Sequence, residues 1–548
     1  MAAPSRAGDF TNTGAGHGDQ VFVRRATGLV REGSMIDAAI YNLMWSGIPI
    51  SLTLLFLFGA AYYADANLPL SVVLAALLCL PIALTYAFLA SAMPRSGGDY
   101  VWVSRAVHPA LGFMSNLSFN FWMIYFFGVY ATLLGAWAVS ALFRMLAAYT
   151  GRLDLLNTAD FFVSSWGVFL LGCAVVIIMG GLFILNRGME TFFRLQRWSF
   201  VLLFVGSIIL AALAVLTAGG AGFVDRFNSY VTALGGPADA HAAVLLAGGA
   251  PAMPSTFAGT LLLVTIPYYT MGFIFQSAYF GGEIKRGRGT HMLSMAGSLL
   301  LATVVMLIVV WIVLAAIGRD FLAALGLAPD PTVFGLGFVP LFPELGAIAS
   351  GNVIFGLIIL LGFAIGFVAW IPQTTILISR GLFAWSFDRL IPERVAEVNP
   401  RTHSPVVATL IIMALSLVSV AILAFNPELS ALVGLFGLTL TYLAVSVAGI
   451  LFPYRQPDVF AASPYPQRIG GVPVVSVIAA VSLATSIVLA VILLRDPNSG
   501  TSWEFNRGTV LLAVGVFLAG LPIYYLLRAI QRGRGVDVDL AYKEIPPD

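Results

Sequence analysis

The chain has 548 residues, of which 59% are hydrophobic and 10% charged, against about 25% charged in a typical soluble domain. That balance, with a mean hydropathy of +0.94, excludes a soluble globular protein and predicts an all-α integral membrane protein. A net charge of +2 is too small to suggest a nucleic-acid partner, and the two cysteines, Cys79 and Cys173, lie in apolar runs and suggest neither a disulfide framework nor a metal cluster.

Residues 1–35 read as a cytoplasmic tail, polar and Gly-rich as far as Gly18 and without the apolar core of a leader peptide. Apolar runs long enough to cross a bilayer, about 20 residues each, lie near 36–62, 68–93, 112–143, 161–185, 192–217, 257–282, 291–317, 347–379, 405–424, 429–453, 472–494 and 508–530. These are segments 1 to 12, about twelve transmembrane helices. The connection 218–256 is rich in Gly, Ala and Pro and reads as a loose extracellular loop or short lid; 318–346 carries Pro329, Pro331, Pro340 and Pro343.

Segment count is tested by charge, because cytoplasmic loops collect Lys and Arg. With the N-terminus inside, 22 of the 28 basic residues fall in cytoplasmic stretches and 6 outside, the latter being Arg144, Arg152, Arg226, Arg319, Arg495 and Arg507. A missed helix would invert every later loop, so the bias predicts an even number of spans and cytoplasmic N- and C-termini in the cell membrane. The remaining basic residues, including Arg105, Arg197 and Arg380, are read as orientation signals on the inner rim.

Segment 1 is interrupted by Ser46, Gly47, Ile48 and Pro49, and segment 6 by Pro267, Tyr268, Tyr269, Thr270, Met271 and Gly272. Gly and Pro also simply kink membrane helices. Backbone groups freed at bilayer depth, however, persist only beside protein, a cavity or a ligand, and matched interruptions in two halves mark a binding site. The first break presents N–H groups at the positive end of a half-helix, suited to a carboxylate. The second presents carbonyls near Tyr268, Tyr269 and Thr270, suited to an ammonium. Five being odd, residues 36–217 and 257–453 form two inverted five-helix repeats, with 454–530 as accessory helices 11 and 12 and 531–548 as a cytoplasmic tail.

Three stretches carry a family resemblance: the Ser46, Gly47, Ile48 break; Pro94 to Val101 (PRSGGDYV) with Pro109 to Phe113 after it; and Ser379 to Ala384 with Asp388, Leu390, Ile391, Pro392 and Val398 to Arg401. Together they resemble the amino acid, polyamine and organocation (APC) permeases. The resemblance implies a LeuT-like 5+5 inverted repeat with broken helices 1 and 6. It also implies secondary active transport of amino acids by alternating access, by proton symport or exchange, in a monomer or homodimer with no cofactor. Departures are Pro49 for an aromatic residue, and Phe387 and Arg389 for the usual Arg and Gly around Asp388. Leu203 stands where some relatives place a coupling lysine, and Val368 and Ala369 where sodium-coupled members place paired hydroxyls. Thr374 and Thr375 lie about a turn and a half further in and are kept as coupling candidates.

No titratable residue falls near the middle of a segment: Asp37, Glu190, Glu283 and Asp388 sit at inner helix ends and His108, His291 and His403 in inner loops. Glu283 beside Lys285 reads as a rim ion pair and a coupling candidate, and Asp37 as a gate candidate. Without a deep acid or base, a neutral amino acid fits better than a polyamine or dicarboxylate. Its side chain would meet Tyr125, Phe127, Tyr268, Tyr269 and Trp370, with Asn42 and Trp45 flanking the first break and Gly272 closing the second. The same fold moving an organic amine, nucleobase or inorganic ion, and a transporter-like solute sensor, are the alternatives; nothing in the motifs indicates an enzyme.

Overall fold

The computed structural model describes residues 33–185, 188–249, 253–285, 289–328, 331–334, 336–401, 404–426 and 434–543. The tail to residue 32, with Arg6, Arg24, Arg25 and Arg31, lies outside them, as do Arg187, Arg286, Arg288 and His403, and the side chain of Glu190. Among the described residues ten helices are long and apolar enough to cross a membrane, and they match segments 1, 2, 3, 5 and 7 to 12. Segment 4 is a pair, Leu155–Val163 and Ser165–Gly181, bent by 76°, and segment 6 is the shorter Phe257–Met271. The chain is a multi-pass membrane protein. Its outer surface is that of a lipid-facing bundle, with large apolar side chains such as Leu300, Trp311 and Leu518 more than half exposed.

Inside, segments approach through small residues, as lipid-immersed helices must when packing alone holds them. A Cβ on Gly362 of segment 8 would lie 2.3 Å from the Leu202 carbonyl of segment 5, and one on Gly128 of segment 3 would lie 2.6 Å from the Ser419 carbonyl of segment 9. The neighbour pattern joins segment 1 to 7, 2 to 6, 7 and 11, 3 to 9, 10 and 12, 4 to 8 and 9, 5 to 8, and 10 to 11. One short hairpin, Arg468–Ile469 with Val472–Pro473, precedes segment 11.

The two long connections differ from expectation. Segment 5 runs on to Ala233, turning at Gly219, and Ala240–Gly248 is also helical. The second connection forms helices Arg319–Leu327 and Phe342–Ser350. The two connections pack on each other and on the later half of segment 1. The Gly and Pro that suggest looseness serve as helix ends: Gly318 and Gly351 sit at φ 87° and 61°, and Pro343 occupies the first turn of its helix. Arg144 and Glu344 join this layer to segment 3 through a buried pair at 3.0 Å, and the Tyr230 hydroxyl donates to the same carboxylate at 3.0 Å.

Candidate functional site

Segment 1 is helical from Met35 to Trp45 and again from Ile48. Between the halves Gly47 adopts φ 57° and ψ 40°, a left-handed conformation that residues with a Cβ enter at a cost. The N–H groups of Ser46 and Gly47 donate to the carbonyls of Asn42 and Met44 at 3.0 and 3.3 Å. Of the three amides expected to be open, that leaves Ile48, the first N–H of the second half, for which a helix supplies no internal acceptor. Pro49 sits next in the first turn, where its missing N–H costs nothing.

The break in segment 6 lies later than the sequence suggests. Helix stops at Leu263, resumes at Thr265 after a turn at Val264, and runs through Pro267 and Tyr268 to Met271; Pro267 thus falls in a first turn, where the amide it lacks would be idle. The Tyr268 and Thr270 carbonyls are taken by the N–H groups of Gly272 and Phe273 at 2.8 and 3.4 Å. The chain opens at residues 272–275, and the freed Gly272 carbonyl accepts from the Tyr442 hydroxyl at 2.7 Å. Beyond the opening the backbone is not α-helical: Gln276–Tyr279 and Gly281–Glu283 form tight turns, and bridges tie Ile284 to Gly33 and Phe280 to Ser96. The two half-helices touch directly, with the Ser51 hydroxyl donating to the Ile266 carbonyl at 3.2 Å.

Above the breaks, a cavity of about 680 Å³ runs from Tyr62, Tyr63 and Asn498 down to Ile50, Phe126 and Tyr269. Below its floor the aromatic rings close up. Tyr130 stacks on Trp370 at 3.8 Å and 4°, Trp45 meets Trp370 at 4.9 Å and Phe273 at 5.9 Å, and Phe127 meets Trp370 at 5.7 Å. A second chamber of about 20 Å³ beside this stack is lined by Gly47, Pro49, Leu203, Gly366 and other carbon-rich neighbours.

Gly47, Ile48, Pro49, Phe127, Tyr269 and Trp370 are therefore brought together. Tyr268 is not: it is buried with its hydroxyl 2.8 Å from that of Thr439 on segment 10. Tyr125 packs against Trp122 and Phe126, and Asn42 ties segment 6 to segment 1 by accepting from the Ser277 N–H at 2.9 Å. The Thr270 hydroxyl is buried without a hydrogen-bond partner. Phe126, Tyr130 and Phe273 escape the sequence reading; Tyr130 lies three residues from Phe127 and Phe273 four from Tyr269, helical spacing that could have found them, whereas Phe126, next to Phe127, carries no such signal.

The opposite end of the bundle is closed by three ion pairs. Arg197 of segment 5 grips Asp37 at 2.6 and 2.8 Å, and Asp37 also completes a capping box with Ser34. Arg380 of segment 8 meets Glu283 at 2.6 Å, and both side chains are sealed from solvent. Arg105, on the short helix Asp99–Ala106 between segments 2 and 3, holds Asp388 through two bonds of 2.7 Å. The rim pairing of Glu283 with Lys285 is thus replaced by a buried one, and Arg105 and Arg380 are interior partners of acids as well as contributors to loop charge. His291 is in the first turn of segment 7 and buried, not in a loop.

Thr374 and Thr375 donate to the carbonyls of Trp370 and Ile371 at 2.9 Å each, and Leu203 packs on Gly366 across segments 5 and 8. A further acid, Asp99, is wholly buried beside Ser115 and Asn116; the sequence presents it only as one letter of a motif.

A family model described as amino acid permease matches residues 38–517, a stretch that takes in both breaks, the cavity and two of the three ion pairs in full. No curated protein matches the chain.

Proposed function

As the chain belongs to the amino acid permease family, we propose that it is a secondary active transporter of neutral amino acids working by alternating access. The observation that carries this reading is the juxtaposition at the cavity floor. The amide-bearing start of the half-helix at Ile48 lies against a half-helix that ends at Met271 and Gly272, whose carbonyls accept, among the described residues, only a long contact from the Ile274 N–H at 3.5 Å and one bond from the Tyr442 hydroxyl, leaving each a lone pair. A zwitterion needs both poles, and helix ends supply them without a charged side chain. The aromatic rings of Phe126, Tyr130, Tyr269 and Trp370 then meet the substrate side chain.

The neighbour pattern supports an inverted five-helix repeat. It keeps its form when each segment is exchanged for the one five later: 1 on 7 corresponds to 6 on 2, 3 on 9 to 8 on 4, and 5 on 8 to 10 on 3. Loop charge favours the inner side for the three ion pairs; in that orientation the cavity faces outward and the pairs form the closed inner gate. Val368 and Ala369 stand where sodium-coupled relatives place paired hydroxyls and Leu203 offers no ligand, which favours a proton or an exchanged solute over sodium as the coupling species.

The test is thermal stabilisation of the detergent-purified protein by the twenty amino acids, simple amines and nucleobases, in sodium and in potassium buffer. Neutral amino acids should raise the melting temperature equally in both buffers, and Gly47→Leu should lose the effect while melting as a folded protein. Stabilisation by amines or nucleobases alone would overturn the cargo and keep the site. Stabilisation by amino acids retained in Gly47→Leu would overturn the site.

A further inference from the structure

We propose that the Asp99 carboxyl is the proton-binding site of this carrier, joined to the segment 6 break by a cluster of tyrosines. The proposal rests on the transport reading and names its coupling ion. Asp99 opens the helix that begins after two glycines at φ 108° and 49°, a turn that places its side chain at 0% exposure. Its Oδ2 accepts from Ser115 Oγ at 2.9 Å and its Oδ1 from Asn116 Nδ2 at 2.8 Å, both neutral donors on segment 3.

Cations nearby are committed elsewhere. Arg380, whose carbonyl borders Gly97, is held by Glu283, and Arg105 of the same short helix by Asp388. The titratable groups facing the carboxyl from the surrounding elements are all phenols: Tyr279 after segment 6, Tyr86 of segment 2 and Tyr442 of segment 10. A carboxylate buried among neutral groups is poorly solvated, so the proton is held more tightly there than in water. Burial pushes this carboxyl up to about 6, against the hydrogen bonds from Asn116 and Ser115.

The same contacts connect the acid to the moving part. Gly97 N–H donates to the Tyr279 carbonyl at 2.9 Å, and a Cβ on Gly98 would lie 2.9 Å from the Tyr279 ring, so the loop and the stretch after segment 6 are in hard contact. The Tyr279 hydroxyl approaches the carboxylate and that of Tyr86 approaches Tyr279, yet neither makes a well-formed hydrogen bond. Tyr86 stands edge-on to Tyr442 at 6.0 Å, and Tyr442 donates to the freed Gly272 carbonyl. Binding a proton converts one carboxylate oxygen from acceptor to donor, so the Tyr279 hydroxyl, which can only donate to the ionised form, can then accept from it. That rearranges the cover which segment 6 must shift to open the inner side. The proton enters from water on one face and leaves to water on the other, with no other reactant.

The experiment has two arms on the full-length protein. An infrared titration through the mildly acidic range should show a protonated-carboxyl band with a midpoint near 6 that is missing in Asp99→Asn. The midpoint should move upward in Ser115→Ala, which removes one of the donors that hold the ionised form. In proteoliposomes with labelled alanine as probe, an inward proton gradient should drive accumulation by the wild type. Asp99→Asn should exchange labelled for unlabelled alanine yet gain nothing from the gradient. Absence of an Asp99-dependent band, or gradient-driven accumulation by Asp99→Asn, overturns the proposal. A band that behaves as stated in a protein that ignores alanine would support the proton site and count against the amino-acid reading alone.

Discussion

The Arg380 guanidinium meets the Glu283 carboxylate at 2.6 Å with side-chain exposures of 0% and 1%, and so bolts segment 8 to the non-helical stretch after Met271. Removing one member of such a pair strands the other charge in a poor solvent, typically costing about 3–5 kcal/mol, whereas replacing both with apolar residues is often neutral. Arg380→Met and Glu283→Leu should therefore each lower the melting temperature sharply, and the double variant should recover most of the loss. A double variant as unstable as the sum of the singles would mean that the two residues do not act as a pair.

Arg105 is held by geometry as well as charge. Its two nitrogens match the two oxygens of Asp388, and its guanidinium lies 5.2 Å from the ring of Tyr542. Lysine keeps the charge and loses the fork. Arg105→Lys is expected to cost about 1–3 kcal/mol, the worth of a charge-assisted bond in a buried setting, read from denaturation in detergent beside Arg105→Ala, which should cost more.

Arg389 has φ 61°, the one positive φ outside glycine among the described residues. Its Nε lies 3.6 Å from Glu393, with side-chain exposures of 40% and 63%, a setting in which an ion pair adds little. A left-handed residue bearing a Cβ costs about 1–2 kcal/mol, part of which glycine returns through the freedom of its unfolded chain. Arg389→Gly should stabilise the protein by about 0.5–1 kcal/mol, and Arg389→Ala should not.

That position shows where the sequence is informative. The motif around Asp388 calls for glycine at 389, and the backbone there is one that favours glycine. Segment positions are legible for the same kind of reason: long apolar runs have one physical use, and ten of the twelve coincide with helices long enough to cross a membrane, while segment 4 is a bent pair and segment 6 is α-helical only to Met271. The break at Gly47 is legible because only a glycine turns left-handed cheaply. The break in segment 6 is easily misplaced because Pro267 and Gly272 both look like punctuation, and which one ends the helix depends on Tyr442 reaching the Gly272 carbonyl from segment 10. The ion pairs are hidden for a related reason. Arg105 and Asp388 are 283 positions apart, and loop charge explains such residues equally well until the chain is folded.

At Gly47 the cost of substitution separates into backbone and side chain. A Cβ would find its nearest neighbour, Ile50 Cδ1, at 3.5 Å, which is ordinary contact, so Gly47→Ala should lose only the left-handed penalty of about 1–2 kcal/mol. Asparagine tolerates that conformation better, so Gly47→Asn should melt above Gly47→Ala. Leucine would in addition fill the chamber beside Tyr130 and Trp370. Melting temperature should therefore rank Gly, Asn, Ala, Leu, while alanine uptake should fall abruptly at Leu.

Asp99 makes a stability prediction whose sign differs from that of an ion-paired acid. Burial raises its carboxyl from 3.8 to about 6, so the folded chain holds this proton more tightly than the unfolded one. The resulting stabilisation is fully present below about 4 and is lost as pH rises through about 6. Above that window the ionised carboxylate weakens the fold by about 3 kcal/mol relative to its protonated form, at 1.36 kcal/mol for each unit. Asparagine stays neutral and can still accept from Ser115 or Asn116, so Asp99→Asn should melt above the wild type at neutral pH. The difference should shrink as the solution is acidified, because the wild type then regains its proton. Melting curves of both proteins across that range decide the matter. An Asp99→Asn variant that is less stable at neutral pH, and draws level only in acid, would show that the carboxylate is stabilised by a positive partner and carries its charge at rest.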